Sequence, residues 1–508
     1  MRALLVHTVM QTGKINYHPI MPMGFFSIAD LLNRNGIPCE IVNLGVEYDL
    51  DPRFDVAGYV VSNGVSLVGA DLHWYLHSHS AIELCRRIKK ETRARTVLGG
   101  YTASCFAEEI IRNHREVDAV VRGEGEIPFL LLAEKMPASD PDLSTVPGVT
   151  SRAPDGAPRS APPRRCSREE LDSFDFAAVE HLKNWRHYTR ISPGSPVIQY
   201  TNTPRPIDHV FYVFTGRGCS QSCPYCGGSN ASYRTAAGGA GPIFRDPERV
   251  VAEMKKLRSL GVRFFYFEFD PYPAGDPYYV RLFNRIREER LDVGVNFGAW
   301  SLPSRELADA FAAAADPDHS CIVISPDSGS EEIRRLNKAG FGASNDEILS
   351  TLDYLRGKKI HTAVCFTLGI PGETRKHFRQ TLDLIKSVRK RSAAAAGCFK
   401  LEPCAPIFLD PARYGVQLYR TTFADFHDHA LALTRSLPIP HPLGYRTAHF
   451  SENEILRLQM KAYRACYFRL RYFLSRLKKM KGVNRMNFYA FLAVLFNSPR
   501  LLQNVQRE

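Results

Sequence analysis

Two series of short, β-rich apolar runs alternating with helical patterns fill most of the 508 residues, and this alternation restricts the chain to parallel α/β architecture. The first series covers residues 1 to about 135. Its runs are Ala3–His7, Cys39–Asn43, Val56–Ser62, Thr96–Leu98 and Ala119–Val121, with helical stretches at Phe25–Asn35, His79–Glu91 and Ala107–Asn113. Five strands with crossovers predict a doubly wound, Rossmann-like sheet, whose ligands settle beyond the C-terminal strand ends. Those ends are expected at Ser62-Asn63-Gly64, Gly99-Gly100-Tyr101 and Gly123-Glu124-Gly125, short polar loops whose glycines permit close backbone approach.

The second series has strand-like runs at Val210–Phe214, Phe264–Phe269, Val293–Ala299, Cys321–Ile324, Ala363–Leu368 and Gly397–Leu401. Helical patterns such as Pro247–Leu260, Ser330–Leu336 and Asn345–Gly357 fall between them, so six strands predict a partial (β/α)6 barrel. Pro137 to Arg165 is dense in Pro, Ala, Ser and Arg, which marks a linker or a short irregular hairpin. The expected division is a sheet domain at 1–136, a linker region at 137–205, a barrel at 206–408 and a helical basic region at 409–508. A chain of this length exceeds one compact core, so several domains are expected on size alone.

The N-terminus lacks a small-residue cleavage site, and the late apolar stretch from Phe488 to Phe496 is far shorter than the ~20 residues of a membrane span. With twelve cysteines and no secretion signal, a reducing, cytoplasmic setting is expected, with thiols as ligands or core fillers. The net charge of +13 is concentrated at the end: Ile455 to Glu508 holds twelve Lys or Arg and one acidic residue. A local basic helix of this kind suits a solvated face or peripheral contact with an anionic membrane, and no nucleic acid partner is expected.

Directly after the run Val210–Phe214 comes Thr215-Gly216-Arg217-Gly218-Cys219-Ser220-Gln221-Ser222-Cys223-Pro224-Tyr225-Cys226. Three thiolates on one tight loop can hold three irons of a cubane cluster and leave the fourth iron open to chelate a substrate. A zinc knuckle needs a fourth ligand near the loop, and the first Cys or His after Cys226 is His319, far along the chain. Glu268 and Asp270, at the end of the second barrel run, are carboxylates that either bind an amino group or cap the following loop. The Gly238-Gly239-Ala240-Gly241 run lacks the Lys-Ser/Thr of a phosphate loop.

The cysteine spacing, with Tyr225 before the third cysteine, resembles the radical S-adenosylmethionine superfamily. Asp327-Ser328-Gly329-Ser330 with Leu336-Asn337-Lys338 resembles that family's Glu-Ser-Gly-Ser … Asn-Lys segment, and Gly369-Ile370-Pro371-Gly372-Glu373-Thr374 resembles its Gly-x-Pro-Gly-Glu-Thr turn. The resemblance implies a 4Fe-4S cluster on Cys219, Cys223 and Cys226. It also implies an S-adenosylmethionine site involving Tyr225, Glu268, Asp270, Ser325, Asp327 and Gly369. Asp327 stands where the family usually has Glu, and Ser325-Pro326 where a glycine is common.

The N-terminal half resembles the cobalamin-binding branch of that superfamily, through Met21-Pro22-Met23-Gly24, Val97-Leu98-Gly99-Gly100-Tyr101-Thr102 and Val120-Val121-Arg122-Gly123-Glu124-Gly125-Glu126. The implied cobalamin contacts are Gly24, Ser62, Gly64, Gly99, Gly100, Tyr101, Gly123, Glu124 and Gly125. No Asp-x-His-x-x-Gly occurs in 1–135, so that route to a histidine below cobalt is absent, and His7, His73, His77 and His79 are read as surface or satisfied core. Cys39, Cys85 and Cys105 are read as core or incidental thiols, against the second cluster of the methylthiotransferase branch. The branch implies methyl transfer to an unactivated carbon of a natural-product or lipid precursor. It also implies a small-molecule or peptide substrate and an electron donor such as flavodoxin or ferredoxin. A radical cyclase or rearrangement enzyme without methyl transfer is the alternative, followed by a non-enzymatic corrinoid or redox sensor. No catalytic residue is assigned.

Overall fold

Five parallel strands build the first sheet: β1 (Ala3–His7), β2 (Cys39–Asn43), β3 (Leu67–Asp71), β4 (Arg95–Gly99) and β5 (Ala119–Val121). They lie in the order β2-β1-β3-β4-β5 in a computed structural model that describes residues 1–12, 15–17, 21–137, 142–190, 209–239, 241–267, 277–435 and 442–467. All five residues of β1 are buried, as expected for a central strand covered by helices on both faces. The row at the C-terminal edge is set by register: His7 pairs with Asn43, Val6 with Ala70, Asp71 with Gly99, and Gly99 with Val121.

Val56–Ser62, expected as the third strand, is a helix. Asp55 caps it by accepting a hydrogen bond from Ala57 N at 3.1 Å, and Val56, Ala57 and Val60 face the core at helical spacing while Val61 is exposed. The third strand is Leu67–Asp71 instead. Ser62 and Gly64 therefore lie at the opposite edge of the sheet, where Asn63 and Ser66 meet Arg2 ahead of β1, and the C-terminal strand-end position expected of Ser62 and Gly64 is overturned.

The segment expected as a linker takes its hairpin form: β6 (Val149–Arg152) and β7 (Pro158–Ser160) continue the first sheet antiparallel beside β5. The second sheet holds β8 (Val210–Tyr212), β9 (Phe264–Phe267), β10 (Gly294–Ala299), β11 (Cys321–Asp327), β12 (His361–Leu368) and β13 (Ala393–Cys398), parallel and in chain order. Phe297 packs outward against Phe283 and Phe311, whereas Tyr212 and Tyr266 stack on each other with ring centroids 4.9 Å apart. The sixth strand begins earlier than expected because Ala393 to Ala396 lacks the branched residues that signal a strand; it pairs along β12 all the same.

Beyond the barrel, helix Phe423–Arg435 packs on helix Ser78–Glu91 of the first domain, and helix Glu452–Tyr467 packs on β13. Among the described residues no helix is long and apolar enough to cross a membrane. Residues 468–508, which carry most of the basic segment expected to meet an anionic surface, lie outside the described residues.

Candidate active site

The three cysteines sit on the loop that leaves β8, beyond the C-terminal end of the barrel. Gly218 allows this loop to fold back: its φ is +82°, and a Cβ there would lie 2.6 Å from the Gly241 carbonyl oxygen. Gln221 N–H points at Cys219 Sγ at 3.3 Å, the kind of backbone donor that stabilises a thiolate bound to iron. Burial raises the thiols of Cys219 and Cys223, and the nearby Lys338 ammonium opposes that rise. Three thiols on one loop, with backbone donors and a cation beside them, fit the donor set of a site-open 4Fe-4S cluster.

Next to the cysteines, the downstream motifs converge on one carboxylate. Asp327 Oδ2 accepts from Tyr225 OH at 2.8 Å and pairs with Lys338 Nζ at 3.0 Å, while Oδ1 accepts from Thr367 at 2.8 Å. Lys338 Nζ also donates to the Ser325 carbonyl. Asp327 adopts φ +64° where the register of β11 against β12 shifts, so the strand bulges to bring this carboxylate toward Tyr225. Burial disfavours the Lys338 charge, but Asp327 and the cysteines outweigh it and hold the ammonium's pKa above the usual lysine value. Asn337 donates to the Pro371 carbonyl at 2.9 Å and ties the Asn-Lys segment to the Gly-x-Pro-Gly turn. Tyr225, Ser325 and Asp327 are thus brought together. Glu268 and Asp270 lie outside the described residues.

Gly369 serves the turn itself: its N–H donates to Glu373 Oε2 at 2.7 Å, and Ile455 packs where a side chain would go. Glu373 is buried and its Oε1 has no hydrogen-bond partner among the described residues. Burial pushes its carboxyl up to about 7, offset in part by the Gly369 N–H. The sign follows from that direction. Below the ordinary value both folded and unfolded states hold the proton; between it and about 7 only the unfolded state ionises, so stability falls as pH rises through this window. Glu373→Gln is expected to remove the penalty, raising the melting temperature relative to the parent at pH 8 and leaving the two close at pH 4.5. The penalty is on the order of 2–3 kcal/mol, and thermal scans at the two pH values check it.

The first domain meets the cluster loop through buried charge. Arg217 Nη1 lies 3.3 Å from Glu124 Oε2, and Nη2 donates to Glu126 Oε1. Glu124 also accepts from Tyr233 OH and, at 2.5 Å, from Cys166 N–H; Glu126 accepts from Ser27 at 2.7 Å. A Cβ on Gly123 would press on the Ala237 backbone at 2.9 Å, and one on Gly125 would meet Ile28 at 3.1 Å. Gly24 opens the helix that also bears Ser27 and Ile28. In this structure Gly123 and Glu124 serve contact with the barrel, and Gly24 and Gly125 serve close packing beside it.

Gly99, Gly100 and Tyr101 stand at the sheet edge facing the barrel, and burial holds the Tyr101 phenol protonated, with Cys226, Cys404, Cys219 and Glu124 adding to that effect. Three groups here were not foreseen. His7 Nδ1 lies 2.9 Å from Asp71 Oδ1, with His77 Nδ1 3.9 Å from Asp71 Oδ2, all three buried. Glu402 packs against Gly227, with its carboxyl pushed up by burial against the opposing charge of Lys400. Cys105 of the first domain interacts with Cys404 beyond β13, whereas Cys39 and Cys85 are buried in the core. His7, Asp71 and His77 are far apart in sequence, so no spacing announces them; Arg217 lies in the cysteine motif and its charge was the readable signal.

Residues 213–385 match the Radical SAM superfamily and residues 16–133 match the B12 binding domain. This is a cobalamin-binding radical S-adenosylmethionine enzyme. The enzyme is 24% identical over 379 residues to an uncharacterized methyltransferase of Pyrococcus horikoshii, covering 73% of this chain and 72% of that one. Its fold is similar to that of the radical S-adenosylmethionine methyltransferase TsrM from Kitasatospora setae, with a TM-score of 0.62 at 19% identity over 82% of this chain and 78% of that one. It is also similar to the cobalamin-dependent S-adenosylmethionine radical enzyme OxsB, with a TM-score of 0.62 at 12% identity over 98% of this chain and 71% of that one. The 4Fe-4S cluster, S-adenosylmethionine and cobalamin are the cofactors of the enzyme.

Proposed function

We propose that the enzyme transfers a methyl group from cobalamin to an unactivated carbon of a natural-product or lipid precursor. The observation that carries this reading is the Arg217 bridge, which fixes the ligand edge of the cobalamin domain against the loop that holds the cluster. Radical generation and methyl delivery must reach one substrate carbon, and this bridge holds the two cofactor sites in one assembly. When bound, the cluster supplies the electron that splits S-adenosylmethionine into a hydrogen-abstracting radical, and cobalamin supplies the methyl group.

The chain's part is placement and exclusion of water. Cys219, Cys223 and Cys226 hold the cluster, and the absence of a fourth cysteine on the loop leaves one iron for the amino-acid end of the cosubstrate. Tyr225, Asp327 and Lys338 form the polar wall beside it, with Ser325 and Gly369 shaping the strand ends. Glu268 and Asp270 are the carboxylates proposed for the cosubstrate's ammonium. Tyr101 and the Gly99-Gly100 turn are residues that would hold cobalamin from the first domain. A flavodoxin- or ferredoxin-type donor supplies electrons, and the substrate is a small molecule or peptide.

Lys338→Met tests the polar wall. It leaves Asp327 without its cation while Tyr225 and Thr367 still hold the carboxylate. Removing one partner of a buried pair costs about 3 kcal/mol of folding stability, read by thermal scans, and apparent affinity for S-adenosylmethionine should fall, read by equilibrium dialysis. Methyl transfer itself is tested by product analysis with methyl-deuterated S-adenosylmethionine. The proposal expects S-adenosylhomocysteine beside 5′-deoxyadenosine and deuterium in the methylated product. Sustained 5′-deoxyadenosine formation without S-adenosylhomocysteine would point to cyclisation or rearrangement instead.

A further inference from the structure

β1 and β3 lie side by side and send their crossovers to opposite sides, so a crevice opens beyond their C-terminal ends. Register extends the pair Val6–Ala70 to His7 beside Asp71 at the floor of this crevice. His77 joins them from the short turn Tyr75–His77 that follows β3. All three side chains belong to residues 2% exposed or less.

One ligand atom from each of the three lies within 4.8 Å of the others. His7 Nδ1 stands 2.9 Å from Asp71 Oδ1, and His77 Nδ1 stands 3.9 Å from Asp71 Oδ2. These gaps bracket the ~3.3 Å between neighbouring donors of a tetrahedral zinc site, where Zn–N and Zn–O distances are roughly 2.0–2.1 Å. Thr8 Oγ1, 3.2 Å from His77 Nδ1, adds a fourth oxygen beside them.

The carboxylate points to a cation. Asp71 Oδ1 accepts from Thr8 N–H at 3.1 Å and faces His7, but Oδ2 makes no hydrogen bond among the described residues. His77 Nδ1 is engaged by Thr8 Oγ1 and lies beyond hydrogen-bond reach of Oδ2. A buried anionic oxygen without a donor is costly, and coordination to a metal is one of the few arrangements that satisfies it. Two imidazoles and a carboxylate suit zinc, and a sealed position suits a structural ion rather than a catalytic one.

We propose that His7, Asp71 and His77 hold one zinc ion that pins the ends of β1 and β3 to the turn after β3. The site stands independently of the methyl-transfer reading. Between Asp71 and His77 the chain carries His73, and Gly100 passes so close that a Cβ there would stand 2.7 Å from His73 N and Cα. The ion thereby steadies the edge where Gly99, Gly100 and Tyr101 face the barrel. Because its ligands are sealed, the ion is taken up as the domain folds.

The test is zinc analysis of the full-length chain, expressed with zinc in the medium, treated with EDTA and passed through gel filtration. Cys219, Cys223 and Cys226 are all replaced by Ala, so that zinc trapped by the cluster loop is not counted. The expected result is about one zinc per chain in this variant, lost when Asp71→Asn is added. X-ray absorption at the zinc edge of the cysteine variant should show nitrogen and oxygen neighbours with imidazole scattering. Zinc no higher than background in the cysteine variant overturns the proposal, as does full zinc content in folded Asp71→Asn protein or a sulfur shell in the absorption spectrum. Absorption decides the matter even where Asp71→Asn fails to fold.

Discussion

Cys223→Ala is expected to give a folded enzyme that binds no 4Fe-4S cluster and releases 5′-deoxyadenosine only at background. Cys223 is buried and the exchange removes one sulfur, a loss of about 1 kcal/mol of packing, so circular dichroism and the melting temperature of the apoprotein should hardly change. The cluster, in contrast, has no spare ligand on this loop: two thiolates cannot close the three-iron face that leaves one iron open. Iron content, visible absorption and 5′-deoxyadenosine in the presence of dithionite are the measurements. A variant retaining iron, absorption and turnover would remove Cys223 from the cluster and with it the meaning of the spacing.

Arg217→Met is expected to be the most destabilising single change outside the cluster. The guanidinium sits between Glu124 and Glu126, both nearly inaccessible, and over the rings of Phe214 and Phe176 at 5.6 and 5.9 Å. Methionine keeps the apolar packing but strands two buried carboxylates with only Tyr233, Ser27 and the Cys166 N–H to compensate. Breaking a buried pair in this way costs about 3–5 kcal/mol, whereas replacing all charged members together is far milder. The melting temperature should therefore drop by several degrees in Arg217→Met and recover in Arg217→Met with Glu124→Gln and Glu126→Gln. The same triple variant separates stability from alignment. If the bridge also registers the cobalamin domain against the cluster loop, restored stability will not restore methyl transfer, and 5′-deoxyadenosine will form uncoupled from it.

What could be read along the chain and what could not follow from how local each signal is. The cluster loop was legible because its ligands must be cysteines and must share one turn. Tyr225, Asp327 and Gly369 were legible through short motifs, but the meeting of Tyr225 and Lys338 on Asp327 needed the bulge in β11 and a lysine just past the next helix. Val56–Ser62 misled because a seven-residue apolar run suits a strand or a helix equally; Asp55 as N-cap was the signal that decides it. The true strand, Leu67–Asp71, contains Gly69, which is required because a Cβ there would strike Phe129 at 2.7 Å. The crevice floor draws His7, Asp71 and His77 from separate segments, and the domain bridge joins Arg217 to Glu126 across 91 positions. Such pairings are set by topology, which periodicity does not report.

The most direct test of the account is a single loading experiment on the anaerobically reconstituted enzyme, with its cobalamin reduced and methyl-deuterated S-adenosylmethionine added without substrate. The account predicts that deuterated methyl becomes bound to the corrin in near-equal amount to the cobalamin present, with matching S-adenosylhomocysteine. It further predicts that this loading survives in Cys223→Ala, whose radical chemistry is lost. Cobalamin that stays unmethylated while 5′-deoxyadenosine accumulates in the parent enzyme would contradict methyl transfer.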